Sequence, residues 1–232
     1  MKRLGILQCD NLGPELSAIG GDFDVLFTDL LVRSDVEVFF YAAHEGELPS
    51  DRRECDGWLV SGSRRSVYDD IEWIVALRRF VSETIDRGDP LVGICFGHQM
   101  IAMELGAVVA KAADGWNVGA IEYLLHEAAP GEHDTDPTTF TLLASHQDQV
   151  LELPQDTRLL ASAPTCPIAG FVSDSLLTVQ GHPEFIPDLA AAIFRTRTDI
   201  IGSHKVDEAV VSLSRSHDGG RVSDWIVDFV KR

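Results

Sequence analysis

Over the first hundred residues, short apolar runs rich in β-branched side chains alternate with longer segments of helical period, the pattern of a mostly parallel sheet covered by helices. Leu4 to Cys9 reads as the first strand, Asp24 to Val32 as a helix, Val36 to Ala42 as a second strand, and Gly57 to Ser61 as a third that runs into Gly62-Ser63. Ile71 to Arg87 has an amphipathic period. Asp69-Asp70 stand near its N-terminus, where the helix dipole favours acids, and Gly88 and Pro90 stop it. Leu91 to Cys95 is then a buried strand, and His98 to Leu105 the following helix, closed by Gly106.

Beyond Gly106 the period shortens. Val118 to Leu125, Phe140 to Ala144, Arg158 to Ser162 and Ile168 to Val172 read as short strands of either an antiparallel excursion or an extended sheet edge. Residues 128 to 139, with Pro130-Gly131 and Asp136-Pro137, read as a loop. Leu176 to Gln180 is a further strand entering Gly181-His182-Pro183-Glu184, and Pro187 to Thr198 a helix with an early proline. Val206 to Ser214 and Val222 to Val230 are the last helical candidates. The expected organisation is one domain over residues 1–232, with 202–232 as a helical C-terminal extension packed on it.

Hydrophobic residues at 45% and charged residues at 24% place the chain among ordinary globular proteins. Its 37 acidic and 19 basic side chains give a formal net charge of -18, a field that repels phosphate backbones and anionic membranes, so nucleic acid is not an expected partner. The N-terminal segment lacks the apolar core of a signal peptide, and no run approaches the roughly 20 apolar residues of a membrane span, which predicts a cytoplasmic protein. Cys9, Cys55, Cys95 and Cys166 are scattered without zinc-like pairing, and no H-E-x-x-H string occurs, so neither a disulfide framework nor a metal site is expected.

The segment richest in chemistry is Pro90-Leu91-Val92-Gly93-Ile94-Cys95-Phe96-Gly97-His98-Gln99, a strand, a G-x-C-x-G turn and a helical run in that order. Glycines two residues either side of Cys95 permit a tight strand-to-helix turn that presents the central side chain to a cleft. A thiol at a helix start is electrostatically favoured as thiolate, and a thiolate attacking an amide needs an oriented histidine to shuttle protons. His182 follows a buried strand whose carboxyl end faces the same sheet edge, and Glu184 stands where it can orient the imidazole. Each residue also has a plainer reading: a buried core cysteine, a turn histidine, a solvated first-turn carboxylate.

Gly93 to Gln99 together with Gln180-Gly181-His182-Pro183-Glu184 resembles the class I glutamine amidotransferase family, triad-type amidases that release ammonia from glutamine. Ser61-Gly62-Ser63 and Ser145-His146-Gln147-Asp148 fit the same pattern in the expected order. The resemblance spans residues about 57 to 186. It implies an α/β fold, a mostly parallel open sheet with flanking helices in a flavodoxin-like three-layer sandwich, plus a small antiparallel excursion. It also implies that Cys95 forms a γ-glutamyl thioester, that His182 acts as base and acid, that Glu184 orients it, and that water resolves the thioester. Backbone N–H groups of Gly62, Ser63 and Phe96 would surround the oxyanion, each such donor typically supplying about 3 kcal/mol of barrier lowering. Gln99, Ser145, His146 and Gln147 match substrate-holding positions. No cofactor is implied.

Two departures from the family pattern bear on the acceptor. Ser63-Arg64 stands where many synthase-linked members have Gly-Pro, and Gly181 where they have Phe; both are closer to stand-alone members similar to γ-glutamyl peptidases. Small Gly181 is expected to leave room for a larger leaving group. The sequence holds no synthetase domain, so ammonia made here would escape or pass to a separate synthetase chain, as in the relatives similar to the glutaminase domain of GMP synthase. The expected function is cleavage of the γ-amide of glutamine or of a γ-glutamyl conjugate. The alternatives are a glutaminase subunit and a non-catalytic regulatory relative. An α/β-hydrolase also uses such an elbow, but its acid usually precedes the histidine.

Overall fold

A computed structural model describes residues 1–33, 35–133 and 138–232; Asp136-Pro137 of the expected loop lies outside them. Five strands form the parallel half of a nine-stranded sheet: β1 (Lys2–Leu7), β2 (Val36–Tyr41), β3 (Gly57–Val60), β4 (Leu91–Ile94) and β11 (Leu176–Val179). Every residue of β3, β4 and β11 is buried, as befits central parallel strands with both faces covered. The other half is antiparallel: β6 (Asn117–Leu125), β7 (Thr139–His146), β9 (Arg158–Ala163) and β10 (Cys166–Val172). The order across the sheet is β2-β1-β3-β4-β11-β10-β9-β6-β7, so the later strands extend the main sheet through the β10–β11 pair. A separate two-stranded ribbon joins β5 (Val109–Lys111) to β8 (Asp148–Val150).

The helices are α1 (Gly13–Gly20), α2 (Phe23–Leu31), α3 (Glu72–Arg87), α4 (Phe96–Glu104), α5 (Pro187–Thr196), α6 (Thr198–Ile201), α7 (Ser203–Ser212) and α8 (Gly219–Lys231). Side-chain alternation along the strands divides the core in two. On one face Leu4, Ile6, Leu59, Val92 and Ile94 pack with Phe27, Phe194, Trp225 and Phe229 of α2, α5 and α8. On the other, Trp58, Val60 and Leu91 pack with Leu77, Phe80 and Met100 of α3 and α4. This is the expected helix–sheet–helix layering. Within the C-terminal thirty residues, α8 buries Val222, Trp225, Ile226, Phe229 and Val230, and Trp225 Nε1 donates to Glu132 Oε1 at 2.5 Å.

Some expected bounds moved for physical reasons. The helix expected to end at Thr198 breaks at Arg197 (φ -109°, ψ 13°), giving α5 and α6. Helix α4 starts at Phe96, not His98, because the turn is completed within Cys95 alone. Helix α1 has no fully buried residue, and β5 and β8 are three residues long; neither carries a period of its own. Gly181 does not open the cleft. A Cβ there would lie 2.6 Å from Leu142 Cβ and 3.3 Å from the Tyr123 hydroxyl, so its missing side chain is occupied by the core, and the expected room for a leaving group does not arise from it.

The sheet edge that matters is fixed by register. Val60 pairs with Gly93 and Val179 with Ile94, so Ser61-Gly62, Cys95 and Gln180 emerge side by side from β3, β4 and β11. Two glycines let α4 fold straight back onto that edge. A Cβ on Gly97 would lie 2.2 Å from the Val60 carbonyl oxygen, and one on Gly93 would lie 2.7 Å from the Gly97 carbonyl. Gly97→Ala is therefore expected to lower unfolding stability by about 1–3 kcal/mol, the usual cost of overpacking a rigid contact. Gly220→Ala, where no atom lies within 4 Å, is expected to be near neutral; urea denaturation of the two variants makes the comparison.

Candidate active site

Cys95 caps α4 with φ 51° and ψ -101°, a positive φ that a non-glycine residue adopts at a cost of about 1–3 kcal/mol. Its N–H donates to Val179 O at 3.0 Å and its carbonyl accepts from Gln99 N at 3.1 Å, so the strained residue is tied to β11 and to its own helix. The side chain is 5% exposed and lines a cleft of about 500 Å³.

His182 is held in an extended segment by its N–H donating to Leu143 O at 2.8 Å. Its Nδ1 is 2.7 Å from Glu184 Oε1, which leaves Nε2 free for the sulfur side, and Phe185 stacks on the ring at 3.9 Å and 6°, fixing its plane. Gly62 backs the ring: a Cβ there would lie 2.7 Å from His182 Cε1 and 3.7 Å from Cys95 Cβ. Burial is the largest influence on the imidazole and disfavours its charge, but Glu184 and Cys95 together outweigh it and raise the pKa to about 10. Glu184 itself is buried, and its Oε2 has no hydrogen-bond partner among the described residues.

The remaining expected site residues divide. The backbone N–H groups of Gly62, Ser63 and Phe96 donate to no acceptor among the described residues; the first two lie in the loop after β3 and the third at the start of α4, where helix N–H groups are unpaired. Gln99, Ser145, His146 and Gln147 share the cleft with Cys95. Gln99 spends its amide nitrogen on Asp148 O (2.8 Å) and Gln180 Oε1 (3.1 Å). His146 sits between Asp148 O (3.1 Å) and Asn117 Nδ2 (3.4 Å), and burial holds it neutral with a pKa lowered to about 4. These two side chains brace the turn between β7 and β8. The side chain of Gln147 hydrogen-bonds to nothing among the described residues.

His98 is a core residue. It is wholly buried between Thr178 Oγ1 (2.9 Å) and Ile168 O (3.2 Å), and burial lowers its pKa to about 3. Burial likewise pushes the thiols of Cys9 and Cys55 up, and that of Cys166 up to about 12. Those three cysteines are packing residues.

Two features had no local signal in the sequence. Arg64 forms a bidentate pair with Asp10 (Nε–Oδ2 2.9 Å, Nη2–Oδ1 2.8 Å), and its own N–H donates to Asp10 Oδ2 at 2.8 Å, so the loop after β1 pins the loop after β3. Arg197, at the α5–α6 break, reaches back to donate to Ser145 Oγ at 2.9 Å. Asp10 was discoverable from its place just past a parallel strand, on the edge where α/β ligands sit. Arg197 was not, because it reads as the outer face of a helix.

Comparison with known proteins gives the chain's family and fold relatives. The family profile described as "Glutamine amidotransferase class-I" matches residues 25–198. Gamma-glutamyl peptidase 4 of Arabidopsis thaliana is 30% identical over 176 residues, 73% of this chain and 70% of that protein. A glutamine-hydrolyzing GMP synthase of Cupriavidus pinatubonensis is 30% identical over 216 residues, 84% of this chain but 39% of that protein. The crystal structure of a Thermotoga maritima glutamine amidotransferase superposes with a TM-score of 0.71 at 17% identity, covering 99% of this chain and 96% of that one, a likeness of fold.

The raised His182 pKa links protonation to folding. Below its ordinary value of 6.5 the imidazole is charged in both states and its contribution is complete; between 6.5 and about 10 only the folded state keeps the proton, so the contribution declines as pH rises and is gone above about 10. Urea unfolding from pH 6 to 10 is expected to show wild-type stability falling relative to His182→Gln across that window. A constant difference between the two proteins would contradict the assignment.

Proposed function

The chain belongs to the class I glutamine amidotransferase family, and from that premise we propose that it is a cysteine amidase that cleaves the γ-amide of glutamine or of a γ-glutamyl conjugate. The observation that carries the reading is the strained Cys95 turn beside a buried His182–Glu184 pair, with main-chain N–H groups that have no acceptor among the described residues in the adjoining β3 loop and at the start of α4.

In the proposed reaction the Cys95 thiolate attacks the γ-carbonyl carbon. The carbonyl oxygen becomes an oxyanion facing the N–H groups of Gly62, Ser63 and Phe96, whose positions are fixed before substrate arrives. His182, charged at neutral pH, gives its Nε2 proton to the departing nitrogen as the C–N bond breaks, releasing ammonia or an amine and leaving a γ-glutamyl thioester. The imidazole, now neutral, takes a proton from water as its oxygen attacks the thioester. Collapse expels the thiolate and frees the γ-carboxylate. Glu184 holds Nδ1 throughout and stabilises the imidazolium.

A second reading rests on the match to the GMP synthase, of which this chain covers only part: the chain supplies ammonia to a synthetase carried on another polypeptide. Purified protein assayed against glutamine and a panel of γ-glutamyl amides and peptides separates the two, since the first reading requires turnover without a partner. Cys95→Ala is expected to lower kcat by about 10⁴-fold or more, as loss of a nucleophile does in triad hydrolases. A γ-glutamyl electrophile should add once, on the Cys95 peptide, by mass spectrometry. Turnover that survives Cys95→Ala, or a folded protein that gains no adduct, refutes the proposal.

A further inference from the structure

The cleft beside Cys95 reverses the sign of the molecule. In a chain of net charge -18 it is lined by Arg65, Lys111 and Arg197 besides the Asp10-paired Arg64, with Asp148 as the only acid on its wall among the described residues, and Asp148 already accepts from Ser66 Oγ at 2.5 Å. Arg65 and Lys111 are exposed at the mouth, where solvent weakens them. Arg197 is different. It is half-buried, burial disfavours its charge, and no carboxylate lies within ion-pairing distance of it among the described residues.

A guanidinium partly withdrawn from water is favoured by a counter-charge, because desolvation without one is costly. The Arg197 guanidinium has Nη1 on Ser145 Oγ at 2.9 Å and its carbon 5.7 Å from the Trp116 ring centroid. Trp116 is held in turn by Lys205 Nζ donating to its carbonyl at 2.5 Å. Nε and Nη2 donate to nothing among the described residues, yet are not enclosed, so they open onto the cavities that Arg197 lines. A planar fork with unused parallel donors, aimed by a hydroxyl and an aromatic face, matches a carboxylate. Ser63, Ser145 and Arg197 each line both the cleft of about 500 Å³ that holds Cys95 and the adjoining pocket of about 80 Å³ that holds His182, so the fork stands where the two meet.

We infer that Arg197 is the receptor for the α-carboxylate of the γ-glutamyl group, binding it through Nε and Nη2 and so fixing the γ-carbonyl over Cys95. The identity of the ligand rests on the amidase reading; the presence of a carboxylate receptor does not. Arg197 is thereby a specificity-determining residue, and Ser145 serves to aim it.

The test compares L-γ-glutamyl p-nitroanilide with 4-aminobutanoyl p-nitroanilide, the same donor without its α-carboxylate. Wild type should prefer the first in kcat/KM by about 100-fold, the scale of losing one partner of a buried charge pair. Arg197→Gln should erase most of that preference by raising KM for the γ-glutamyl donor, leave the 4-aminobutanoyl donor within about twofold, and be partly rescued by Arg197→Lys. Equal loss on both donors, or a wild type that does not discriminate, overturns the inference. Because failure of turnover would refute the amidase reading alone, calorimetry on Cys95→Ala provides an independent arm. It should bind L-glutamate more tightly than 4-aminobutanoate, and the added Arg197→Gln change should remove the difference; equal binding in both proteins overturns the receptor.

Discussion

The structure around the cleft depends on one backbone conformation, the positive φ of Cys95. A strand-to-helix turn completed in one residue brings the start of α4 onto the carboxyl edge of the sheet, and that turn exists only because Gly97 meets the β3 backbone and Gly93 meets the Gly97 carbonyl with no Cβ between them. The strain, about 1–3 kcal/mol, is small beside the burial of β3, β4, β11 and α4 that holds it. The same contact brings the first turn of α4 beside the loop after β3, where the Gly62, Ser63 and Phe96 N–H groups have no acceptor among the described residues. Strained turn and unpaired donors are thus two consequences of the same close packing.

The second dependence is electrostatic. A histidine only 4% exposed would ordinarily be neutral, as His98 and His146 are in this fold; what separates His182 is a carboxylate at 2.7 Å and a sulfur on the other side. Three buried histidines in one core therefore divide by their neighbours, with burial common to all. Glu184 has one carboxylate oxygen without a partner among the described residues, so it is coupled chiefly to the His182 ring through the 2.7 Å contact. In the proposed chemistry that coupling keeps a proton available for the leaving nitrogen at neutral pH.

Much of the parallel half was legible because its strands are buried on both faces and therefore read as unbroken apolar runs, and because glycines and histidine punctuate their ends. The antiparallel half was legible as strands, with an antiparallel excursion and an extended sheet edge both left open; the β10–β11 pairing that decides for the sheet edge is a tertiary fact with no local period. Cys95, His182, Glu184 and the loop at Gly62-Ser63 stood out because each sits directly after a strand of the parallel half. Asp10 satisfies the same rule after β1 but carries no motif, and Arg197 satisfies none: it reaches the cleft only because α5 stops at Thr196 and the chain turns. Gly181 misled for the complementary reason. A glycine next to a motif histidine looks like space, yet its missing side chain faces Leu142 and Tyr123.

That last point relocates the question of what the amidase reading accepts as leaving group. If Gly181 looks inward, selectivity must come from walls that do face Cys95: the Ser63–Ser66 loop on one side and the α5–α6 break on the other. Both are fastened by polar contacts that cross between elements, Arg64 to Asp10 on one wall and Arg197 to Ser145 on the other, with Ser66 tied to Asp148 across the cleft. A wall braced by hydrogen bonds between loops yields to a single substitution more readily than one built from strand backbone, whereas the edge that bears Cys95 is fixed by the sheet itself. On the amidase reading this architecture assigns the bond broken to the parallel strands, and the choice of donor and of leaving amine to two loops that can change without disturbing them.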